Sequence, residues 1–183
     1  MVMTINYRKI PVSKMQDGNV KINSDFLAVE SVIKLSFNQQ KIATLLGSPQ
    51  DSEYLLLGHL VAEGYLQHEQ MVDFNFESVV IDASDSGLDV HVESEFELNI
   101  KPKSSGITTT SCGACNSDGL NQLVKHLPIV SSKIQFNHSI LHAGMKSMEL
   151  LQRGFTKTGG MHSAGLLSID GEIVCFAEDI GRH

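Results

Sequence analysis

Tryptophan is absent from this 183-residue chain, proline occurs only 4 times, and only 3 cysteines are present. An odd, small number of cysteines, with Cys112 and Cys115 close together, does not make the disulfide framework of a secreted domain. No apolar run approaches the roughly 18–20 residues that a helical membrane span needs. Met1 to Ile10 lacks a basic stretch followed by an apolar one, so no signal peptide is expected and the cytoplasm is the expected compartment. Positive charge is scarce too. Lys and Arg number 14 against 21 Asp and Glu, a net charge of −7, which argues against a nucleic-acid partner or an anionic membrane. Neither a Walker loop nor a G-x-G-x-x-G motif occurs, so standard nucleotide-binding chemistry lacks support.

The chain does hold enough apolar residues, 42% of the total, to bury a core in one large domain or two small ones. Ala28 to Phe37 alternates, with Val29, Ser31, Ile33, Leu35 and Phe37 on one face, and reads as a strand with one buried side. Ser48-Pro49-Gln50-Asp51 reads as a helix start, with a serine cap and proline at the first helical position. Tyr54, Leu57, Leu60 and Val61 follow at helical spacing as the expected core face, and Gly64 as the terminator. Val72 to Ala83 and Leu88 to Ile100 form an expected hairpin about the turn cluster Ser84–Gly87, with Leu88, Val90 and Val92 opposite Asp89, His91 and Glu93.

Lys101–Gly106 combines a strand-breaking proline with small polar residues and is the best boundary, giving a strand-rich subdomain over 1–105 and an α/β domain over 106–183. The class expected is therefore α/β (α+β). In the second part Ser117 to His126 and Ser139 to Gln152 read as helices. Leu141, Met145, Met148 and Leu151 form the expected core stripe of the latter, with Gly154 as its terminator. Ser163–Ser168 and Ile173–Ala177 are expected strands about the turn Ile169–Glu172, with Cys175 a buried, inert thiol. Glu178-Asp-Ile-Gly-Arg-His183 reads as a helix start, with Asp179 as cap and a Glu178–Arg182 pair, or with Arg182 gripping phosphate.

Chemistry concentrates in Thr108–Gly119, where Cys112 and Cys115 fall in one short turn ahead of the expected helix Ser117–His126. A thiol at a helix N-terminus feels the positive end of the aligned peptide dipoles, which favours the nucleophilic thiolate. Such a pair suits disulfide exchange, persulfide relay or metal binding. His91-Val-Glu93 with Cys112-Gly-Ala-Cys115 echoes the signature of zinc nucleobase deaminases, but that histidine and glutamate belong at a helix start, not on a strand's polar face. A structural zinc site would need further ligands, and no second C-x-x-C or H-x₃₋₅-H supplies them. Thioredoxin-like exchange is disfavoured because the pair follows more than a hundred residues dominated by strands. Gly159-Gly160-Met161-His162 has a plain reading as a tight turn and a functional one, in which backbone approaches a ligand and His162 offers a proton.

Taken together, Glu30–Asn38, Leu57–Gly64, Ser111–Cys115, Thr158–His162 and Glu178–His183 resemble the FdhD/NarQ family of formate dehydrogenase accessory proteins in order and approximate spacing. That resemblance implies a cytoplasmic sulfurtransferase that accepts persulfide sulfur from a cysteine desulfurase. The sulfur passes to the molybdenum bis-guanine-dinucleotide cofactor that formate dehydrogenase needs. It also implies a cytidine-deaminase-like fold without the zinc site and no permanently bound metal, and a homodimer. Cys112 corresponds to the persulfide-bearing cysteine and Cys115 to its partner; Gly159, Gly160, His162, Arg182 and His183 match the motifs around the cofactor pocket. Asn116, His59 and Ser31 depart from the family pattern, which also continues past His183, so the fold is expected to be incomplete at its C-terminus. Outside this class, the alternatives are a non-catalytic thiol-containing chaperone for cofactor or apo-enzyme, and a zinc-dependent deaminase-like hydrolase.

Overall fold

The computed structural model describes residues 6–66, 70–71, 74, 78–95, 97–98 and 129–182. They gather into two units, each discontinuous along the chain: Tyr7–Ala28 joins the residues up to Ile180 in one, while Asn6, the stretch from Val29 and the Gly181 end belong to the other. The expected cut between 105 and 106 lies outside the described residues, as do Cys112, Cys115, His183 and the expected helix Ser117–His126.

The unit that contains Val29 is built on four strands in the order β4-β3-β6-β5: β3 (Ser31–Phe37), β4 (Gln40–Gly47), β5 (Val79–Ser84) and β6 (Gly87–Val92), with α1 (Ser52–Ala62) between β4 and β5. The hairpin β3–β4 turns at Asn38 and Gln39, both at positive φ (46° and 63°), the mirror-image turn whose twist matches that of paired strands. β5 and β6 form the second, antiparallel hairpin, and β6 lies parallel to β3 from Ile33↔Leu88 to Phe37↔Val92. Alternation makes the core: Ile33, Leu35 and Phe37 from β3, Leu88, Val90 and Val92 from β6, and Leu56 and Leu60 from α1 are all buried. Removing that much apolar surface from water is the principal force holding this unit together.

Several local expectations are corrected. Strand β3 begins at Ser31, and Ala28 instead ends another strand. Helix α1 begins at Ser52 rather than in the first turn after Ser48; Asp51 stands at its N-terminus in the left-handed region (φ 59°) with no side-chain cap. The Ser52 hydroxyl donates to the Pro49 carbonyl at 2.8 Å, so Ser48–Asp51 is a turn leading into the helix. The core face of α1 is Leu56 and Leu60; Tyr54 and Val61 are exposed, because the helix lies on the sheet at a rotation set by β5 and β6 and not by hydrophobic spacing alone. β6 ends at Val92, well short of Ile100, where its partner β3 ends at Phe37. There the Asn38 amide donates to the Ser94 carbonyl (2.9 Å) and accepts from the Ser94 N–H (2.7 Å), closing the strand end.

Among its described residues the other unit contains two antiparallel ribbons. β1 (Tyr7–Gln16) and β2 (Asn19–Ala28) turn at Asp17-Gly18, both at positive φ; β7 (His162–Leu167) and β8 (Ile173–Asp179) turn through Gly171 (φ 89°). Two helices run between the ribbons, α2 (His138–Leu151) and α3 (Arg153–Thr158). Asn137 caps α2 by accepting from the Ser139 N–H at 3.0 Å. At Gly144 the helix comes so close to Leu167 that a Cβ would stand 2.6 Å from its Cδ1. On α3, Lys157 donates to the Tyr7 hydroxyl at 2.6 Å and lies 4.3 Å from that ring's centroid, while Tyr7 meets Phe26 edge-on.

Three further expectations fail here. Of the expected core stripe Leu141, Met145 and Leu151 are exposed and only Met148 is half-buried, beside Gly165; α2 approaches the β7–β8 ribbon most closely through Gly144. Cys175 is exposed, and Val174 beside it is 70% exposed, so Ile173–Ala177 is not an interior strand among the described residues. Gly154 does not terminate α2. Gln152 interrupts the helix, and Gly154 sits inside α3, where a Cβ would collide with the Met161 sulfur.

Candidate functional site

Of the described residues singled out from the sequence, Gly159, Gly160 and His162 fall within one local arrangement, and it is built from α3 outward. Glu178, in β8, turns its carboxylate onto the start of α3: Oε2 accepts from the Gly154 N–H and Oε1 from the Phe155 N–H, each at 2.9 Å. First-turn amides of a helix have no partner within it, so a carboxylate there satisfies two donors and complements the dipole. Glu178 and Asp179 are strand residues, not the helix start expected of them.

The other end of α3 closes on the glycines. Gly159 takes a left-handed conformation (φ 65°) and donates its N–H to the Phe155 carbonyl at 2.7 Å. The Thr158 hydroxyl donates to the Gly154 carbonyl (2.9 Å) and accepts from the Gly160 N–H (3.1 Å). Met161 then drops into the interior as the buried apolar side chain of this unit among the described residues, and His162 opens β7, exposed and directly opposite Asp179. A neighbouring tie, from the Gln152 amide to the Ser163 hydroxyl at 2.6 Å, fixes the start of β7 to the break between the helices. The segment Thr158–His162 is thus held by Glu178 at one end of a six-residue helix and by Met161 and strand pairing at the other.

Space around the turn is open. A Cβ built on Gly159 meets nothing within 4 Å, and one on Gly160 only touches Ala28 and Thr158 at 3.9 Å. Both glycines are exposed. Arg182 is exposed as well, but it groups with the unit containing Val29 and is described there by itself. His91, the histidine of the deaminase-like echo, lies within β6 and has its Nδ1 3.9 Å from Asp82. Among the described residues no group of three or more His, Cys, Asp or Glu side chains converges as metal ligands would. No helix among them is long and apolar enough to cross a membrane.

Sequence reasoning named the glycines and His162 but missed Thr158 and the capping role of Glu178. Both stand inside the quoted motifs; what the sequence does not display is that β8 returns alongside α3.

The family model described as FdhD/NarQ family matches residues 28–183. The chain belongs to that family. It is 29% identical over 175 residues to the sulfur carrier protein FdhD of Cupriavidus necator, covering 94% of this chain and 59% of that protein. With the sulfur carrier protein FdhD of Sulfolobus acidocaldarius it shares 27% identity over 176 residues, covering 96% of this chain and 65% of the relative. The chain thus spans about three fifths of the length of these relatives. Its fold is similar to the crystal structure of a provisionally assigned formate dehydrogenase accessory protein from Desulfotalea psychrophila. The TM-score is 0.66 at 18% identity, covering 97% of this chain and 65% of the other.

Proposed function

We propose that this chain is a sulfur carrier serving the maturation of formate dehydrogenase. One observation carries this reading: family membership over residues 28–183, with Ser111–Cys115, Thr158–His162 and Glu178–His183 in the family's order. The relatives named as sulfur carriers support it.

In the proposed reaction the Cys112 thiolate attacks the outer sulfur of a cysteine desulfurase persulfide. The new bond joins Cys112 to that sulfur; the old sulfur–sulfur bond breaks, and the desulfurase cysteine leaves as thiolate. No electron or extra reagent is needed, since one persulfide replaces another. Cys115, three residues further along the sequence, is the second thiol proposed to hold or release the sulfur. The acceptor is the molybdenum bis-guanine-dinucleotide cofactor, bound as substrate and not as a resident group, with formate dehydrogenase as the client and a homodimer as the working form. Gly159, Gly160, His162, Arg182 and His183 are the residues proposed to meet that ligand.

Intact-mass analysis after incubation with a cysteine desulfurase and cysteine tests the relay. Because Cys175 is exposed, it is a third acceptor and must first be replaced, as Cys175→Ser. A gain of one sulfur atom, removed by dithiothreitol and absent in Cys112→Ala, is the expected result. A mass unchanged by the desulfurase overturns the proposal and leaves a chaperone that binds without moving sulfur; a gain that survives Cys112→Ala overturns Cys112 as the acceptor.

A further inference from the structure

Charge is spread unevenly over the two ribbons. In β1–β2 the cations Arg8, Lys9, Lys14 and Lys21 outnumber Asp17 and Asp25, although the whole chain carries −7. From His162 to Asp179, the span of β7–β8, the charges are Asp170, Glu172, Glu178 and Asp179, with no lysine or arginine among them. Each ribbon also keeps an apolar patch in water. Pairing sets Met15 opposite Val20 and Ser13 opposite Ile22, so the three apolar side chains share one face beside the Asp17-Gly18 turn. Met15 is 77% exposed and Ile22 78%. The other face of the tip sets Lys14 directly against Lys21, a like-charge pair relieved on one side by Asp25, 2.8 Å from Lys14.

The patch on β7–β8 follows from where α2 lies. A Cβ on Gly165 would stand 3.2 Å from the Met148 sulfur, and Gly144 closes on Leu167, so α2 takes the face that carries Gly165 and Leu167. Alternation turns Ala164, Leu166 and Cys175 to the opposite face. The register slips between Leu166 and Leu167, which leaves Val174 and Cys175 together against Leu166 and widens the patch. All four are exposed. A ribbon that is apolar on both faces and covered on one is a surface for a partner.

We infer that two copies of this chain exchange ribbons: the tip of each β1–β2 ribbon, through Met15, Val20 and Ile22, lies on the partner's Leu166, Val174 and Cys175. Both patches stay in water within a single chain, so the tip does not cover the face of its own chain. The ribbon is anchored by the bond from Lys157 to Tyr7, and at about 3.3 Å per residue its turn lies roughly 30 Å further along the strand. A basic arm then meets an acidic ribbon, which steers the copies together and disfavours pairing of arm with arm. Exchange about a two-fold axis forms the contact twice in each dimer. The inference rests on the homodimer of the proposed function and adds the surface that makes it.

Sedimentation of the intact chain reads the association. The parent is expected to be a dimer whose affinity falls about tenfold from low to high salt, as screening removes the attraction of arm for face. Ile22→Glu and Leu166→Glu, both at exposed positions, should each give a monomer, whereas Met145→Glu, at an exposed position on α2, should leave the dimer intact. Cys175 supplies a second readout in a chain carrying Cys112→Ser and Cys115→Ser. Adding Ile22→Cys to that chain should give a disulfide-linked dimer on mild oxidation with diamide, lost in Cys175→Ser. Asn19→Cys, on the basic face of the tip, should give little. A thiol dye should reach Cys175 readily in the dilute chain and more slowly as concentration rises, but at one rate in Ile22→Glu.

A monomeric parent, a dimer that survives both Ile22→Glu and Leu166→Glu, or a cross-link from Ile22→Cys that persists without Cys175 would each overturn the inference. Loss of the dimer in Met145→Glu alone would do so too, by moving the interface to α2. Sulfur loading on Cys112 is read separately. A chain that loads sulfur and dimerises through another surface refutes this inference and leaves the sulfur carrier standing; one that exchanges ribbons but takes up no sulfur does the reverse.

Discussion

The two units of this molecule are held together by different means. In the one containing Val29, a four-stranded sheet and one helix bury Ile33, Leu35, Phe37, Leu45, Leu56, Leu60, Val90 and Val92 almost completely. In the other, Met161 is the buried apolar side chain among the described residues, while Met145 is 56% exposed and Leu166 67%. Its order rests on directed contacts: caps on α2 and α3, the Glu178 carboxylate, the Gln152–Ser163 bond and ladders of paired strands. Burial is tolerant of direction and sums over area, whereas a cap or a turn depends on individual atoms. The contrast shows why the candidate site belongs to the second kind. A turn whose amides are each tied to a single acceptor needs bonds of fixed direction, and burial in a core supplies none.

The largest expected effects fall in the buried core. Leu35→Ala should cost about 2–5 kcal/mol, read as a lowered urea midpoint, through lost burial and the cavity left behind. Met145→Ala, an equally apolar truncation on α2, should stay within about 0.5 kcal/mol of the parent. Similar losses for the two would mean that the exposed helix face is covered, and the contrast would break.

Next come the glycines that mark close approach. Gly87→Ala places a Cβ against the Val32 carbonyl oxygen and keeps a residue at φ 124°, so the β5–β6 hairpin should lose about 2–4 kcal/mol. Gly159→Ala meets nothing within 4 Å and carries only the strain of its left-handed conformation, about 1 kcal/mol. A collision at Gly159 as severe as that at Gly87 would show the turn to be enclosed and not open to a ligand.

A smaller effect concerns Asp51. Its partial burial, and then the charge of Glu53, push the carboxyl above the usual aspartate value of 3.8. A carboxyl raised on folding favours its protonated form in the folded state, so folding loses stability as pH rises through the interval above 3.8. Asp51→Asn removes that penalty, and asparagine accepts the left-handed backbone at this position (φ 59°) readily. The variant should gain a few tenths of a kcal/mol at neutral pH, after discounting for solvent screening, and nothing at pH 3. Urea midpoints at the two pH values check this; a gain that persists in acid would assign it to backbone conformation.

The smallest expected change is at Cys175. Thiol-reactive dyes should label it in the folded chain, and Cys175→Ser should shift stability by less than about 0.5 kcal/mol. Protection from the dye until denaturant is added would restore the interior strand that the apolar run Ile173–Ala177 first implied.

The period-2 alternation of Ile33, Leu35 and Phe37 and of Leu88, Val90 and Val92 was legible because each strand buries one face, and the pattern is local to the strand. The hairpin turn at Ser84–Gly87 was legible because turn chemistry lies within a few residues of what it controls, and the helix expected from Ser139 begins at His138, although its Asn137 cap was not read. Tyr7–Ala28 was not read as a ribbon, although Asp17-Gly18 between alternating stretches was a signal for one. The site was legible only as motifs. Nothing local to Glu178 shows that its carboxylate will meet Gly154 and Phe155, more than twenty residues earlier.

By itself the sequence determined the alternating strands β3 and β6, the turn at Ser84–Gly87 and the family, because short-range periodicity and ordered motifs are written in neighbouring residues. Only the tertiary structure decided which apolar stripe is buried and which stays in water, since burial depends on what packs against a face and not on the face alone. It also decided that the carboxylate of Glu178 meets the Gly154 and Phe155 amides at the start of α3, because these groups come together only when β8 folds back beside α3.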